Sequence, residues 1–323
     1  MQQFRPFKNG LGMHTSCSGS SDSPVSKMQS AIGIDLGGSS VKAVAVTAVA
    51  EIKLKSNTPF DAAERMDWAR TIRSCISELE NQSGITSPHV GLSAPGLTSE
   101  DGSSIAYMPG RLNGLEGLNW KEFLEVPNPV PVLNDGHAAL CGEAWLGAAK
   151  GFRNVIMLTL GTGVGGAAMV DGKLLRGQIG RAGHLGHSSL DPNGPPDVCG
   201  TPGSLEVAIG NCTIEERSNG RFKSTHSMIS AHLTGDAEAS AIWMKSLKAL
   251  AGAICSFINI LDPEAVIIGG GIAKSGETLF EPLRDYLDSM EWSPGGHRAM
   301  ILPAQLGEFA GAVGAARNAL LSN

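Results

Sequence analysis

The sequence predicts an α/β protein built in two halves, and three observations carry that prediction. Residues 31–46 and 155–170, far apart in the chain, share one pattern: an apolar strand, a glycine- and hydroxyl-rich turn, and a second strand. Strand and helix patterns alternate along both halves, the order that builds α/β layers. The length of 323 residues accommodates two domains at roughly 150 residues each. The turns hold Gly37, Gly38, Ser39 and Ser40 in the first stretch and Gly161, Thr162 and Gly163 in the second. Glycines let a ligand approach the backbone, and successive N–H groups and hydroxyls are donors for phosphate oxygens. Paired phosphate hairpins point to a nucleotide held between two halves. In a dinucleotide-binding turn or a P-loop the glycines lead into a helix, whereas Ser40 is followed by Val-Lys-Ala-Val-Ala-Val, a strand sequence, so those alternatives fit poorly.

The elements follow in order. Residues 1–27 hold Gly, Ser, Pro and Lys without a periodic apolar face or the continuous apolar core of a signal peptide, and read as a disordered leader, with Met28 as an alternative start. After the first hairpin, Met66, Ala69, Ile72, Ile76 and Leu79 recur at helical spacing, which predicts a helix over 61–83 ended by Gly84. Residues 89–96 read as a short strand entering a tight turn, and 97–128, rich in Gly, Asn and Pro, as a long functional loop. A strand over 131–136 ends in polar groups, and a helix runs over 137–149. Beyond the second hairpin, Asp171-Gly172 turns the chain toward Lys173, and 177–206 read as loop. A long helix capped by Asp236 carries Ile242, Leu247, Leu250, Ile254, Phe257 and Leu261 on or near one face, with Pro263 beyond its end. Residues 265–271 predict a buried strand meeting the turn Gly269, Gly270, Gly271, and 307–320 a closing helix whose Gly307, Gly311 and Gly314 leave room for close packing.

Composition narrows the function. A hydrophobic content of 42% allows a sizeable core. A net charge of −6 without a long Lys/Arg run gives nucleic acid no electrostatic footing, which leaves small molecules as partners. No run approaches the roughly 18 apolar residues of a membrane span. Cys17, Cys75, Cys141, Cys199, Cys212 and Cys255 show no framework spacing, as expected of reduced thiols in a cytoplasmic protein.

Taken together, the motifs resemble the ROK family of sugar kinases and repressors, within the actin-like, hexokinase-like ATPase superfamily. The resemblance spans about residues 31 to 320 and lies in the order of four motifs. Residues 35–42, Asp-Leu-Gly-Gly-Ser-Ser-Val-Lys, are similar to the first phosphate motif and residues 160–166, Leu-Gly-Thr-Gly-Val-Gly-Gly, to the second. Asn134-Asp135, followed by Ala138-Ala139 and Gly142-Glu143, resembles the catalytic segment, and Ile268 with Gly269–Gly271 the adenosine motif. The resemblance implies two ribonuclease-H-like domains flanking a cleft, 28–137 plus 305–323 and 138–304, a homodimer, ATP and Mg²⁺ as cofactors, and a sugar as substrate.

Phosphoryl transfer to a sugar hydroxyl needs an aligned nucleophile, neutralised phosphate charge and an acceptor for the hydroxyl proton. Asp135, at a strand end, is the candidate base, its alternative role being the cap of the following helix. Asp35 is expected to orient Mg²⁺ through water, and Lys42 is assigned no chemistry. Asn134, His187 and Glu206 keep the family's sugar-contacting positions. Two departures stand out. The family's Glu-x-Gly-His reads His184-Leu-Gly-His187, which puts an imidazole where a carboxylate is usual. The family's zinc-binding Cys-x-Cys-Gly-x-x-Gly-Cys-Leu-Glu reads residues 197–206, Asp-Val-Cys-Gly-Thr-Pro-Gly-Ser-Leu-Glu. That substitution leaves His187 and Cys199 as the strong ligands, so structural zinc is not expected, the alternative being a rebuilt set of His184, His187, Asp197 and Cys199. Arg111 occupies the register of a family asparagine, and Asn113 could serve by a small shift. The rival functions are a sugar-responsive regulator, for which the leader is too short to form a three-helix DNA reader, and a catalytically idle sugar-binding protein. Polyphosphate stands as the alternative phosphoryl donor.

Overall fold

The computed structural model describes residues 30–322, apart from 48, 86, 87, 109 and 111. The leader, Met28 and Arg111 therefore lie outside the described residues. In chain order the strands are β1 (Ser30–Leu36), β2 (Ser40–Thr47), β3 (Ile52–Pro59), β4 (His89–Ala94), β5 (Leu97–Thr98), β6 (Ile105–Tyr107), β7 (Val132–Asn134), β8 (Val155–Leu160), β9 (Val164–Val170), β10 (Lys173–Leu174), β11 (Ala265–Gly269) and β12 (Met300–Pro303). The α-helices are α1 (Asp67–Ser83), α2 (Trp120–Leu124), α3 (Asp135–Leu146), α4 (Leu205–Ile209), α5 (Ile214–Arg217), α6 (Thr225–Leu233), α7 (Ala237–Leu261), α8 (Glu277–Met290) and α9 (Ala310–Leu321).

The repeated hairpins head two sheets of one design. The first sheet runs β3-β2-β1-β4-β7 and the second β10-β9-β8-β11-β12. In each, three antiparallel strands are extended by two parallel ones. One core lies between the first sheet and α1, whose Trp68, Ile72, Ile76 and Leu79 are buried. The other lies between the second sheet and α7, whose Trp243, Leu247, Leu250 and Ile254 are fully enclosed. Full burial of one such side chain is worth roughly 1.5–3 kcal/mol, so these faces hold the helices in place. α7 is 25 residues long and apolar enough to cross a membrane by length and composition, but here its apolar face is core.

Two helices exchange partners between the halves. α3 leaves the first sheet and packs Ala139 and Leu140 onto Met157, Ala167 and Ile267 of the second. α9 leaves the second sheet and packs Ala312, Val313, Ala316 and Ala319 onto Ala31, Val44 and Val46 of the first. The helices meet at Gly142 and Gly314, where a Cβ on Gly314 would overlap the Ala138 carbonyl oxygen. The small residues expected to permit close packing do so at Gly311 and Gly314. Gly307 does not: it lies before the helix in a 3₁₀ turn, with φ +58° and open space around it.

Several boundaries move for local reasons. The helix expected from residue 61 begins at Asp67, because the Asp61 N–H donates to Asp67 Oδ2 (2.8 Å) and its carboxylate accepts the Ala63 N–H (2.9 Å), closing turns instead. The helix expected over 137–149 runs from Asp135 to Leu146, and the strand before it stops at Asn134. Asp236 caps α7 by accepting the Ala239 N–H (2.9 Å), as expected. The loop over 97–128 also contains β5, β6 and α2, whose Trp120 enters the first core.

Candidate active site

The site forms where the C-terminal ends of β1, β4 and β7 face the second hairpin. Asn134, 4% exposed, is the N-cap of α3: its Oδ1 accepts the N–H groups of Gly136 (3.0 Å) and His137 (3.4 Å), and its Nδ2 donates to the Gly96 carbonyl (3.0 Å). Asn134 therefore does the capping that Asp135 was offered as an alternative role. Its side chain also hydrogen-bonds the Asp135 carboxylate. Asp135, the first residue of α3, is exposed to the cleft, and its Oδ1 accepts the Gly136 N–H (2.8 Å). The surrounding protein pushes its carboxyl above the usual range, against the Gly136 N–H and the His184 ring, which pull it down.

Asp35 ends β1 beside it. Burial pushes its carboxyl up to about 6, opposed by the Ser93 hydroxyl, which donates to Oδ1 at 2.7 Å, and by Lys42, while the Asp135 charge pushes it further up. Lys42 pairs with Asp35 across the β1–β2 ladder and Ser93 pairs with it from β4. The carboxyl fits against Gly311 of α9, where any Cβ would sit 2.7 Å from its Cγ. Two carboxylates that repel one another at the C-terminal edge of the first sheet are oxygen donors of the kind a hard divalent cation takes, so the residues present suit Mg²⁺.

The second half supplies neutral groups. The hairpin turn Gly161–Gly163 is closed by Gly161 N–H to Gly163 O (2.9 Å), and the Asn211 and Cys212 N–H groups hold it from below through the carbonyls of Gly161 (3.0 Å) and Thr162 (2.8 Å). In the first turn the Gly37 N–H donates to Ser40 O (3.0 Å), leaving Gly38 and Ser39 exposed. Gly270 has φ +89° and lies so close under Leu160 that no side chain fits, which joins the Gly269–Gly271 turn to the end of β8. Glu206, 8% exposed, accepts the Val164 N–H (2.9 Å), and Gly163 has no Cβ where its carboxylate passes. The halves touch at the base of the site, where a Cβ on Gly136 would lie 2.7 Å from the Gly166 carbonyl oxygen.

His184 stands in this cluster. Its ring meets that of His137 edge-on, with centroids 5.8 Å apart, its Nδ1 lies 3.0 Å from the Arg181 carbonyl, and its pKa is lowered by burial and raised by Asp135. His137, buried and bound through Nε2 to the Ala182 carbonyl (2.9 Å), is held neutral by burial. Sequence reasoning missed His137, and Ser93 too; the available signal was the position of Ser93 near the end of β4 and of His137 in the first turn of α3, next to the strand ends where α/β sheets bind ligands. Asn113 is exposed in a turn beside Gly114, and no hydrogen bond joins it to the Asp135 cluster among the described residues.

His187 lies beyond His184, in the 3₁₀ turn Leu185–His187. Its Nδ1 is 2.8 Å from Asp197 Oδ2 and its Nε2 is 3.5 Å from Cys199 Sγ. One donor atom each from His187, Asp197 and Cys199 lies within 4.8 Å of the others, whereas His184 stays outside this cluster. The rebuilt four-ligand set therefore does not assemble. A structural zinc site takes four N or S ligands, and with an oxygen at 197 and a hydroxyl at 204 the residues present do not fit that ion.

Residues 31–321 match the model of the ROK family. A glucokinase of Thermotoga maritima is 34% identical over 283 residues, covering 79% of this chain and 86% of that protein. An N-acetylmannosamine kinase of Escherichia coli is 28% identical, covering 90% and 98%. The crystal structure of a ROK family glucokinase from Streptomyces griseus, in complex with glucose and AMPPNP, superposes with a TM-score of 0.75 at 26% identity, covering 90% of this chain and 98% of that one.

Proposed function

The chain belongs to the ROK family, and from that premise we propose that it is an ATP- and Mg²⁺-dependent sugar kinase acting on a hexose hydroxyl, the 6-hydroxyl of glucose or of a related hexose or amino sugar. The observation that carries this reading is the placement of Asp135. Its neighbour Asn134 takes over the helix cap, so the Asp135 carboxylate, partnered by the Gly136 N–H and the Asn134 side chain, stays exposed at the cleft with a raised pKa. In the proposed role Asp135 accepts the proton of the sugar hydroxyl as the bond to phosphorus forms. Asp35 would hold Mg²⁺, and the ion when bound would supply neutralisation of phosphate charge. Gly37, Gly38, Ser39 and Ser40 and the turn Gly161–Gly163 cradle the phosphates, and Gly269–Gly271 meet the adenosine. Asn134, His187 and Glu206 hold the sugar. In this reading residues 28–137 with 305–323 form one domain and 138–304 the other, and closing the cleft excludes water that would otherwise take the phosphoryl group.

The glucokinase and N-acetylmannosamine kinase relatives support the sugar class and differ on its member. Sugar-phosphate formation, measured with ATP or polyphosphate against hexoses, N-acetylhexosamines and amino sugars, tests the proposal. Sugar-dependent phosphate transfer from ATP is expected. Absence of transfer to every sugar in the panel would sink it in favour of the idle sugar-binding protein.

A further inference from the structure

The positions at which the family resemblance implies a zinc clamp are His187, Asp197, Cys199 and Ser204. The fold still brings them together, but around a carboxylate. The Asp197 side chain is 0% exposed, against 25% for His187. Its oxygens are spoken for: Oδ1 accepts the backbone N–H groups of Cys199 and Thr201, both at 2.9 Å, Oδ2 faces His187 Nδ1 at 2.8 Å, and the Ser204 hydroxyl adds a further hydrogen bond. An ionised carboxylate has about four lone-pair sites, so its capacity is filled. Burial alone would raise its pKa, but these donors outweigh burial and hold it below the ordinary range. The loop closes on itself as well. The Asp197 N–H donates to Thr201 O (2.9 Å), the Gly200 N–H to Asp197 O (2.9 Å), and short bridges join Ser189 to Ser204 and Pro196 to Pro202.

We infer that Asp197 is the positioning residue for His187, a hydrogen-bonded carboxylate standing where the family resemblance implies a metal, and that it turns the Nε2 of His187 into a hydrogen-bond acceptor. The argument is one of proton accounting. A metal ion on Nδ1 takes that nitrogen's lone pair and leaves the ring proton on Nε2, a donor. A carboxylate facing Nδ1 accepts a hydrogen bond from Nδ1–H, which keeps the ring proton there and leaves Nε2 bare, an acceptor. The neighbouring Cys199 agrees with this: burial and the Asp197 and Glu206 charges push its thiol up, so its S–H remains to face Nε2 at 3.5 Å. This inference rests on the sugar-kinase reading for its consequence: a sugar hydroxyl donating to His187 Nε2 displaces the weak Cys199 S–H donor.

Two arms test it, one independent of activity. Long-range ¹H–¹⁵N NMR of histidine-labelled protein, purified without added metal, should show His187 as the Nδ1–H tautomer in the wild type and as the Nε2–H tautomer in Asp197→Asn, whose amide turns an N–H toward the ring. Elemental analysis of the wild type should give well below one zinc per chain, and a chelator should leave its Tm unchanged. In the kinetic arm, Asp197→Asn should raise the sugar KM about tenfold, with kcat and the ATP KM nearly unchanged. The double variant Asp197→Cys, Ser204→Cys should acquire one zinc per chain and a chelator-sensitive Tm. One zinc per wild-type chain, or an Nε2–H His187 in the wild type, would overturn the inference, as would an unchanged sugar KM in Asp197→Asn. A wild type without kinase activity would remove the sugar-kinase reading and leave tautomer and metal content to decide the clamp.

Discussion

Asp35 of β1 and Thr159 of β8 hold the same place in their two sheets, one residue before the leucine that opens each glycine turn. Their neighbours differ in kind. Asp35 is flanked by Lys42 on one strand and Ser93 on the other, a charge and a hydroxyl. Thr159 is flanked by Gly165 and Gly269, which leave only space; a Cβ on Gly165 would overlap its hydroxyl. One scaffold, used twice, has been given charge in the first half and close backbone approach in the second. Proton and cation chemistry need carboxylates with shifted pKa values, whereas phosphates need N–H groups and room. A duplicated fold lets the two demands be met on facing surfaces without either compromising the other.

The comparison breaks first at its charged side. Asp135→Asn keeps shape and polarity and removes basicity, so kcat should fall at least about a hundredfold while the sugar Kd changes little. Near-normal turnover in that variant would falsify the base assignment. The joint between the halves comes next. A Cβ on Gly314 has no space beside the Ala138 carbonyl, so Gly314→Ala should destabilise the protein by about 1–3 kcal/mol or more through overpacking, read as a lower urea midpoint. Gly161→Ala is the control: nothing lies within 4 Å of the added carbon, so stability should hold while the ATP KM rises as the methyl meets the phosphates. Equal stability losses in the two variants would deny that the halves use glycine differently.

Making the first half resemble the second should stabilise it. The Asp35 carboxyl titrates at about 6 in the folded protein against 3.8 as its ordinary value, so the folded state holds the proton more tightly than the unfolded one. Stability is then lost as pH rises from about 4 to about 6, and the cost is complete above that window. Asp35→Asn should therefore raise unfolding free energy by about 2 kcal/mol at pH 7.5, below the roughly 3 kcal/mol that two units would give, and by almost nothing at pH 4. Matching gains at both pH values would show that burial of the charge is not the cause.

These residues also mark what a sequence can disclose. The hairpins were legible because glycine, hydroxyl and β-branched residues sit in an order that no other turn explains, and the motif order carried the family. The residues of α3 and α9 alone do not disclose the helix exchange, because their Ala and Gly are spread without a stripe to say which sheet they cover; the family resemblance is what assigns 305–323 to the first half and 138–304 to the second. β3 is not legible because its inward positions Ile52, Leu54 and Ser56 alternate with Lys53, Lys55 and Asn57 on an edge strand that is nowhere fully buried. α8 was passed over although Leu279, Phe280, Leu283 and Leu287 enter the second core, because Pro282 inside the run breaks the helical pattern. In the site, Asn134 and Asp135 are adjacent and both good caps, so only the fold tells which one caps the helix and which faces the cleft.

His184 offers the smallest effect and the finest division between the halves, because it reaches from the second half to the base of the first. Its Nδ1 faces the Arg181 carbonyl, so that nitrogen carries the proton of the neutral ring and Nε2 its lone pair, and burial lowers its pKa. A carboxylate here would bring a second negative charge to Asp135, and like charges raise each other's pKa. His184→Glu should therefore move the acid limb of kcat/KM to higher pH, since Asp135 must be ionised to accept a proton and would hold that proton longer. It should also replace one acceptor by a carboxylate that accepts twice, which alters the recognition of nearby hydroxyls. The ratio of kcat/KM between glucose and its 2-substituted analogues should shift by about tenfold, the factor that 1.4 kcal/mol produces. An acid limb and a sugar ratio both unmoved would place His184 outside the electrostatic reach of Asp135 and outside the sugar's contacts, and would leave the base to the first half alone.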